Sequence, residues 1–323
     1  MFKALFFSIY VAFIAGSCNN KPIKSNQSND AVNHIAIIID DEWWSGEVGD
    51  SLRNKFAGPT IGLPEEEPLF TINQYPLKLL EGFISDNRSI IVVKRQVRSK
   101  YQITQSGRNK NQQIIYLCGN TVPEVVSLLE QNTLNIISRV RARELIYMRT
   151  LLDSGLNYMP ILNNINLQLK LPKSYKQVFR GDGFSWFKKD IIGGNMNVLV
   201  YQVLLNDKNI VPNIQKTRDS IGIKYIHGTA EESNMLTAGG DAPYSKYTVI
   251  DAHKAIETRG TWELKNDFMT GPFLNYAIFC PEQNKLFFVE GFCYAPSKNK
   301  RDLMFELETI IRSIKIRDGY LAN

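Results

Sequence analysis

Histidine and cysteine are scarce in this chain of 323 residues, which has three of the first and four of the second. His34, His227 and His253 stand far apart in sequence, so no histidine-rich metal centre is expected. No CxxC pair occurs, and once Cys18 is set aside an odd set remains, Cys118, Cys280 and Cys293, which speaks against a disulfide framework. GxSxG, HExxH, Walker A and GxGxxG are all missing from any fitting context. No catalytic residue, metal or cofactor is therefore assigned, and whether the chain is an enzyme stays open, with the balance toward none. Long apolar runs are lacking too. The stretch 4–14 falls short of the about 20 residues that a membrane span needs.

What is present begins with that stretch. Lys3 precedes it, small residues Ala15-Gly16-Ser17 follow it, and Cys18 comes next. This charged, apolar, small-residue series has the layout of a secretory signal. With a cysteine directly after it, the series resembles the lipobox of bacterial lipoproteins, which implies cleavage after residue 17 and a lipid, palmitate included, on Cys18. Several acyl chains at one terminus anchor stably where one binds marginally. Asn19, where an aspartate would favour the inner membrane, implies the outer membrane facing the periplasm. A net charge of +6 does not point to nucleic acid in a secreted chain. The expected partners are the membrane itself, other envelope proteins or anionic glycans.

Apolar content of 44% and charged content of 22% are those of a globular protein. Residues 18–33, rich in Asn, Ser, Lys and Gln, read as a flexible tether. Strands alternating with helices are expected over 34–160, at 34–40, 69–72, 90–93 and 113–117, with helices at 46–56, 77–84 and 123–152. Over 161–323 a mainly antiparallel sheet backed by helices is expected, with strands near 167–171, 175–179, 184–188, 198–205, 254–264, 273–279 and 286–294, and helices at 213–220 and 302–314. The whole is α+β, an N-terminal α/β layer part followed by a sheet whose architecture resembles the PsbP-like α/β/α sandwich.

Five segments carry a more specific resemblance: IIIDDEWWSGEVGDSLR at 37–53, GLPEEEPLF at 62–70, GDGFSWFKK at 181–189, ETRGTWELKNDFMTGPF at 257–273 and VEGFCYAPSKNKRDL at 289–303. With the leader they resemble an uncharacterised bacterial envelope lipoprotein family, domain of unknown function 4837, over nearly the whole mature chain. The resemblance implies an envelope lipoprotein and brings no activity.

Candidate ligand-binding residues follow from the side chains. Asp40, Asp41 and Glu42 end an apolar strand, where α/β proteins hold metals or do acid/base work, but where a carboxylate also caps the next helix. Through these carboxylates an envelope hydrolase acting on glycan or peptide is the alternative reading. Trp43 and Trp44, on an extended chain, would face opposite sides, one of them free to stack on a sugar. Arg259 shares a strand face with Thr261 and Glu263, opposite Trp262, and reads as half of an ion pair or as a fork for an anion. Asp267 would flank a cleft there. Arg139, Arg141, Arg143 and Arg149 read as the solvated face of the long helix, and Gly239-Gly240-Asp241 as a plain turn.

Overall fold

Branched apolar residues alternate along β1 (His34–Ile38), so that Ile35 and Ile37 enter one core and Ala36 and Ile38 another. The computed structural model describes residues 31–81, 87–105, 112–153, 156–160, 167–181, 183–205, 213–240 and 242–316. The leader, Cys18, the tether up to residue 30, the turn at Ser106-Gly107, Asp182 and Asp241 lie outside the described residues. From Val32 onward the chain is one compact unit.

After β1 come α1 (Asp41–Trp44), α2 (Glu47–Phe56), β2 (Thr71–Tyr75), a 3-10 turn (Leu77–Glu81), β3 (Ser89–Arg95), β4 (Lys100–Gln105), β5 (Gln113–Gly119) and α3 (Val122–Asp153). The strands form one sheet in the order β2-β1-β3-β5-β4, parallel except for β4. One face buries Ile91, Val93, Ile115 and Leu117 under α2 and α3. These helices supply Leu52, Phe56, Leu129, Ile136 and Val140 at 3.6-residue spacing. Each such side chain fully buried contributes roughly 1.5–3 kcal/mol.

The second half contains β6 (Leu156–Pro160), β7 (Leu167–Pro172), β8 (Lys176–Gly181), β9 (Phe184–Ile191), β10 (Gly194–Leu204), α4 (Ile214–Tyr225), β11 (Met235–Thr237), β12 (Tyr244–Ile250), β13 (His253–Leu264), β14 (Thr270–Cys280), β15 (Lys285–Tyr294), α5 (Arg301–Ile311) and β16 (Lys315–Ile316). Its main sheet is antiparallel, ordered β11-β13-β14-β15-β10-β9-β8, with β12 also on β13. Period-2 burial sends Leu274, Tyr276, Phe287 and Val289 to the face under α5, and Phe273, Ala277, Leu286 and Phe288 to the face under α4. A helix on each face gives the layered α+β architecture expected from the sequence. A small sheet, β16-β7-β6, closes the α5 side.

Two local expectations fail. Residues 41–44 are a short helix, not extended chain, so Trp43 and Trp44 differ by about 100° around an axis. The expected helix at 77–84 is a 3-10 turn over its described part.

Cys118, Cys280 and Cys293 are buried and form no disulfide, and Cys280 lies opposite Lys285 rather than Cys293. Burial pushes the Cys293 thiol up to about 12 and raises that of Cys118. A disulfide reagent at pH 8 is therefore expected to leave all three untouched in the native protein and to titrate them in denaturant. Rapid labelling of any of them before unfolding would contradict the burial.

Candidate functional site

Along β13, Glu257 and Arg259 point to the α5 side while Trp262 points to the α4 side, because side chains alternate on a strand. Arg259 donates to Glu257 at 2.7 Å and to Glu308 of α5 at 2.8 Å. Glu308 also accepts from Arg141 of α3 at 2.5 Å and from Arg312 at 3.0 Å. Glu257 accepts from the Tyr276 hydroxyl at 2.9 Å and from Arg312 at 3.3 Å. Both carboxylates are buried. Burial alone would raise their pKa values. At Glu308 the charges of Arg259, Arg141 and Arg312 outweigh it and hold the carboxyl well below the usual carboxylate range. At Glu257 Arg259 does the same more mildly. Burial, then the Glu308 charge, pushes the Tyr276 hydroxyl up. Carboxylates held ionised and saturated with donors have no proton to exchange near neutral pH. This cluster is a junction, not acid/base machinery.

The 58–68 loop closes over it. Gly62 sits against Arg259 with φ +85°, a left-handed conformation that suits glycine. Glu67 accepts from the backbone N–H groups of Lys300 and Arg301 at 2.5 and 3.0 Å, so a carboxylate from the first half caps the N-terminus of α5. Glu65 pairs with Lys300 at 2.7 Å. The space left between Gly62, Arg141, Arg259, Arg301 and Glu308 is about 20 Å³, too small for a substrate.

The other sequence candidates do not join this cluster. Asp40 is the N-cap residue of α1, although its side chain makes no capping bond. Asp41 accepts from Gln74 at 2.9 Å, and Glu42 pairs with Arg95 at 3.0 Å, both on the surface. Trp43 is core, with the Arg95 guanidinium 5.0 Å from its ring centre, and Trp44 is half-buried under Arg53 at 4.5 Å. Trp262 is buried edge-on to Phe292 and donates to the Cys293 carbonyl at 3.2 Å. Asp267 accepts from the N–H of Phe268 at 2.6 Å in the β13–β14 turn. Of the candidates, Arg259 alone lines either cavity described here. Among the described residues no group of His, Cys, Asp and Glu has the arrangement of a metal site.

A larger cavity of about 260 Å³ lies beyond the other end of α5. Arg149 and Leu152 of α3, Lys170 of β7, Ile310 of α5, Arg312 at the C-cap of α5, and Lys315 of β16 contribute to its walls. Arg312 thus belongs to both the junction and this cavity.

Residues 156–313 match the family model for domain of unknown function DUF4837, and residues 28–152 match that for domain of unknown function DUF8532. Residues 156–313 form a DUF4837 domain. This corrects the extent of the resemblance: the segments at 37–53 and 62–70 fall in the DUF8532 match, outside DUF4837. No curated protein matches the chain. Among solved structures, cyanobacterial PsbP from Synechocystis is similar over 50% of this chain and 93% of its own, at 9% identity and TM-score 0.35. The Ran-binding protein Mog1p of Saccharomyces cerevisiae covers 50% and 96% at 9% identity and TM-score 0.31. LpqN of Mycobacterium tuberculosis, involved in cell envelope biogenesis, covers 53% and 94% at 13% identity and TM-score 0.30. At such scores the fold assignment rests on the topology itself.

The DUF4837 domain supplies Glu257, Arg259, Tyr276, Glu308 and Arg312 to the junction, whereas Arg141, Gly62 and Glu67 come from the DUF8532 region. Sequence reasoning placed Arg141 in solvent, and the structure turns it inward to a buried glutamate. A second buried ion pair of the DUF4837 domain also escaped it. Arg218 of α4 is 2% exposed, donates to Glu290 at 3.0 Å and to Thr237 at 3.1 Å, and lies 3.9 Å above Phe273. A basic residue in a modestly amphipathic helix gives no sign of this.

Proposed function

We propose that this protein is a lipid-anchored component of the cell envelope, held by Cys18 at the periplasmic face of the outer membrane, where it binds or scaffolds rather than catalyses. The observation that supports this is how the folded body begins. Val32 is buried with Met148 and Phe305. The Asn33 N–H donates to buried Glu144 at 2.8 Å, and its side-chain amide donates to Asp302 at 2.9 Å. Glu144 is in turn held by Arg88 at 2.8 Å. Residues 32 and 33, which the sequence assigns to the end of the tether, are thus buried parts of the body instead, fastened where α3 meets α5, so a pull on the lipid is borne by the core and not by a fraying end. The 14 residues from Cys18 to Ala31 reach at most about 50 Å when extended, which confines the body to a thin layer above the bilayer. Such confinement raises its effective concentration toward envelope proteins or anionic glycans without any new contact. The saturation of Glu257 and Glu308 by arginines favours binding over acid/base chemistry. Among the described residues no helix is long and apolar enough to cross a membrane.

Radiolabelled palmitate is expected to enter the wild-type chain and not Cys18→Ser, and the variant is expected to leave the membrane pellet for the soluble fraction. Equal sedimentation of an unlabelled chain would remove the anchor.

A further inference from the structure

Two turns of the main sheet carry apolar side chains that the fold leaves bare. Phe268, in the β13–β14 turn, is fully exposed, and Ile192, in the β9–β10 turn, is 86% exposed. Both turns lie at one end of the sheet. Asn195 pairs with Tyr294 and Phe273 with Phe292, so the two turns leave the sheet level with the end of β15. Three strand spacings, about 14 Å, separate them across it.

The N-terminal chain is rooted at the same end. α5 starts there, since its Met304 touches Cys293 and its Leu307 packs against Gly291. Asp302, in the first turn of α5, accepts from the Asn33 amide, and Val32 packs with Phe305. The chain from Cys18 thus enters the body at the end that carries the two bare turns. Other exposed apolar side chains lie elsewhere: Val97 in the β3–β4 turn, Leu134 on α3, Tyr247 on β12 and Leu204 at the opposite end of β10. Charges flanking the two turns pair off, Lys188 with Asp190 at 3.1 Å, Lys265 with Glu232 at 3.7 Å and Lys300 with Glu65 at 2.7 Å. What this end offers a partner is therefore apolar contact.

We propose that this end of the sheet faces the bilayer, with Phe268 and Ile192 set at the boundary between head groups and acyl chains, where exposed apolar side chains are favoured. The proposal rests on the anchor at Cys18. Two side chains alone bind a bilayer marginally, but a body already held at the surface needs no more. The tether sets how far the body strays, and the turns set which way it faces.

The test couples the mature chain through Cys18 to a maleimide phospholipid in phosphatidylcholine vesicles, the other three thiols being buried. This chemical link stands in for the native lipid, so the outcome is independent of palmitate labelling. Phe268→Trp and Leu204→Trp are compared with the wild type in vesicles with and without bromine on the upper acyl chains, which quenches indole on contact. Leu204 is ten residues along β10 from Gly194, about 33 Å from the turn. The indole added at 268 is expected to lose at least half of its emission, and the one at 204 less than a tenth. Adding Ile192→Asp to Phe268→Trp is expected to at least halve that quenching. An indole at 268 that stays bright overturns the proposal and leaves the turns to a protein partner. Equal quenching at 204, or no effect of Ile192→Asp, overturns it too. Should Phe268→Trp unfold, Ile192→Trp replaces it with the same criterion.

Discussion

Glu308→Gln is expected to destabilise the protein by about 3–5 kcal/mol, because it leaves three arginines around a site that has lost one of its two carboxylates. Removing one partner of a buried ion cluster is far costlier than replacing the whole cluster, since the remaining charges stay desolvated. Urea unfolding, with the slope checked for constancy, measures the loss. The pH dependence carries the same signature. Glu308 has a depressed pKa in the folded state, so its contribution is complete above the unfolded carboxylate value near 4.3 and is lost as pH falls below that toward the folded value. The gap in melting temperature between wild type and Glu308→Gln should therefore be widest above about pH 5 and shrink on acidification. A gap that widened toward acid pH would mean that the carboxylate is not ionised in the native cluster.

Gly62→Ala is the second large effect. A β-carbon there would sit 2.7 Å from the β-carbon of Arg259 and 3.3 Å from the nitrogen of Gly260, on a backbone with φ +85°. The left-handed conformation alone costs a non-glycine residue about 1–2 kcal/mol. Overpacking against a strand backbone adds to it, for a total loss of about 2–4 kcal/mol. The clash pushes the 58–68 loop off β13 and with it the Glu67 cap on α5. Gly239→Ala makes the control, because nothing lies within 4 Å of its added carbon. Equal melting temperatures for the two variants would show that the loop yields freely.

Much of the framework was legible because burial imposes periodicity. β1, α2, α3, β13, β14, β15 and α5 each bury a face whose apolar spacing is visible in sequence. β4 and β12 were missed for the converse reason. Both are peripheral strands: β4 turns only Tyr101 and Ile103, half-buried, to the core, and β12 keeps Tyr247 at 80% and Val249 at 61% exposure, so no inside face stands out there. The helix at 41–44 is a single turn, too short to show a period. At the junction, the alternation of β13 was enough to mark Arg259 and to separate it from Trp262. Its partner Glu308 lies 49 residues away, and Arg141 lies 167 residues from Glu308. Charge pairing over such separations leaves no local pattern, which is why Arg141 looked like surface. The cavity was illegible for a related reason, since its cations come singly from α3, β7, the C-cap of α5 and β16.

The α3 helix, 32 residues and so about 48 Å long, ends where the two family matches meet. Its first turns serve the sheet of the DUF8532 region, and its later ones, through Arg141 and Met148, reach α5 of the DUF4837 domain. A border drawn by sequence likeness is thus crossed by the strongest charges in the interior. A DUF4837 domain excised at that border would present Phe305 and Glu308 to water, and a foreign N-terminal half grafted on would have to bring its own arginine to meet them. The two regions are separable as text but not as objects.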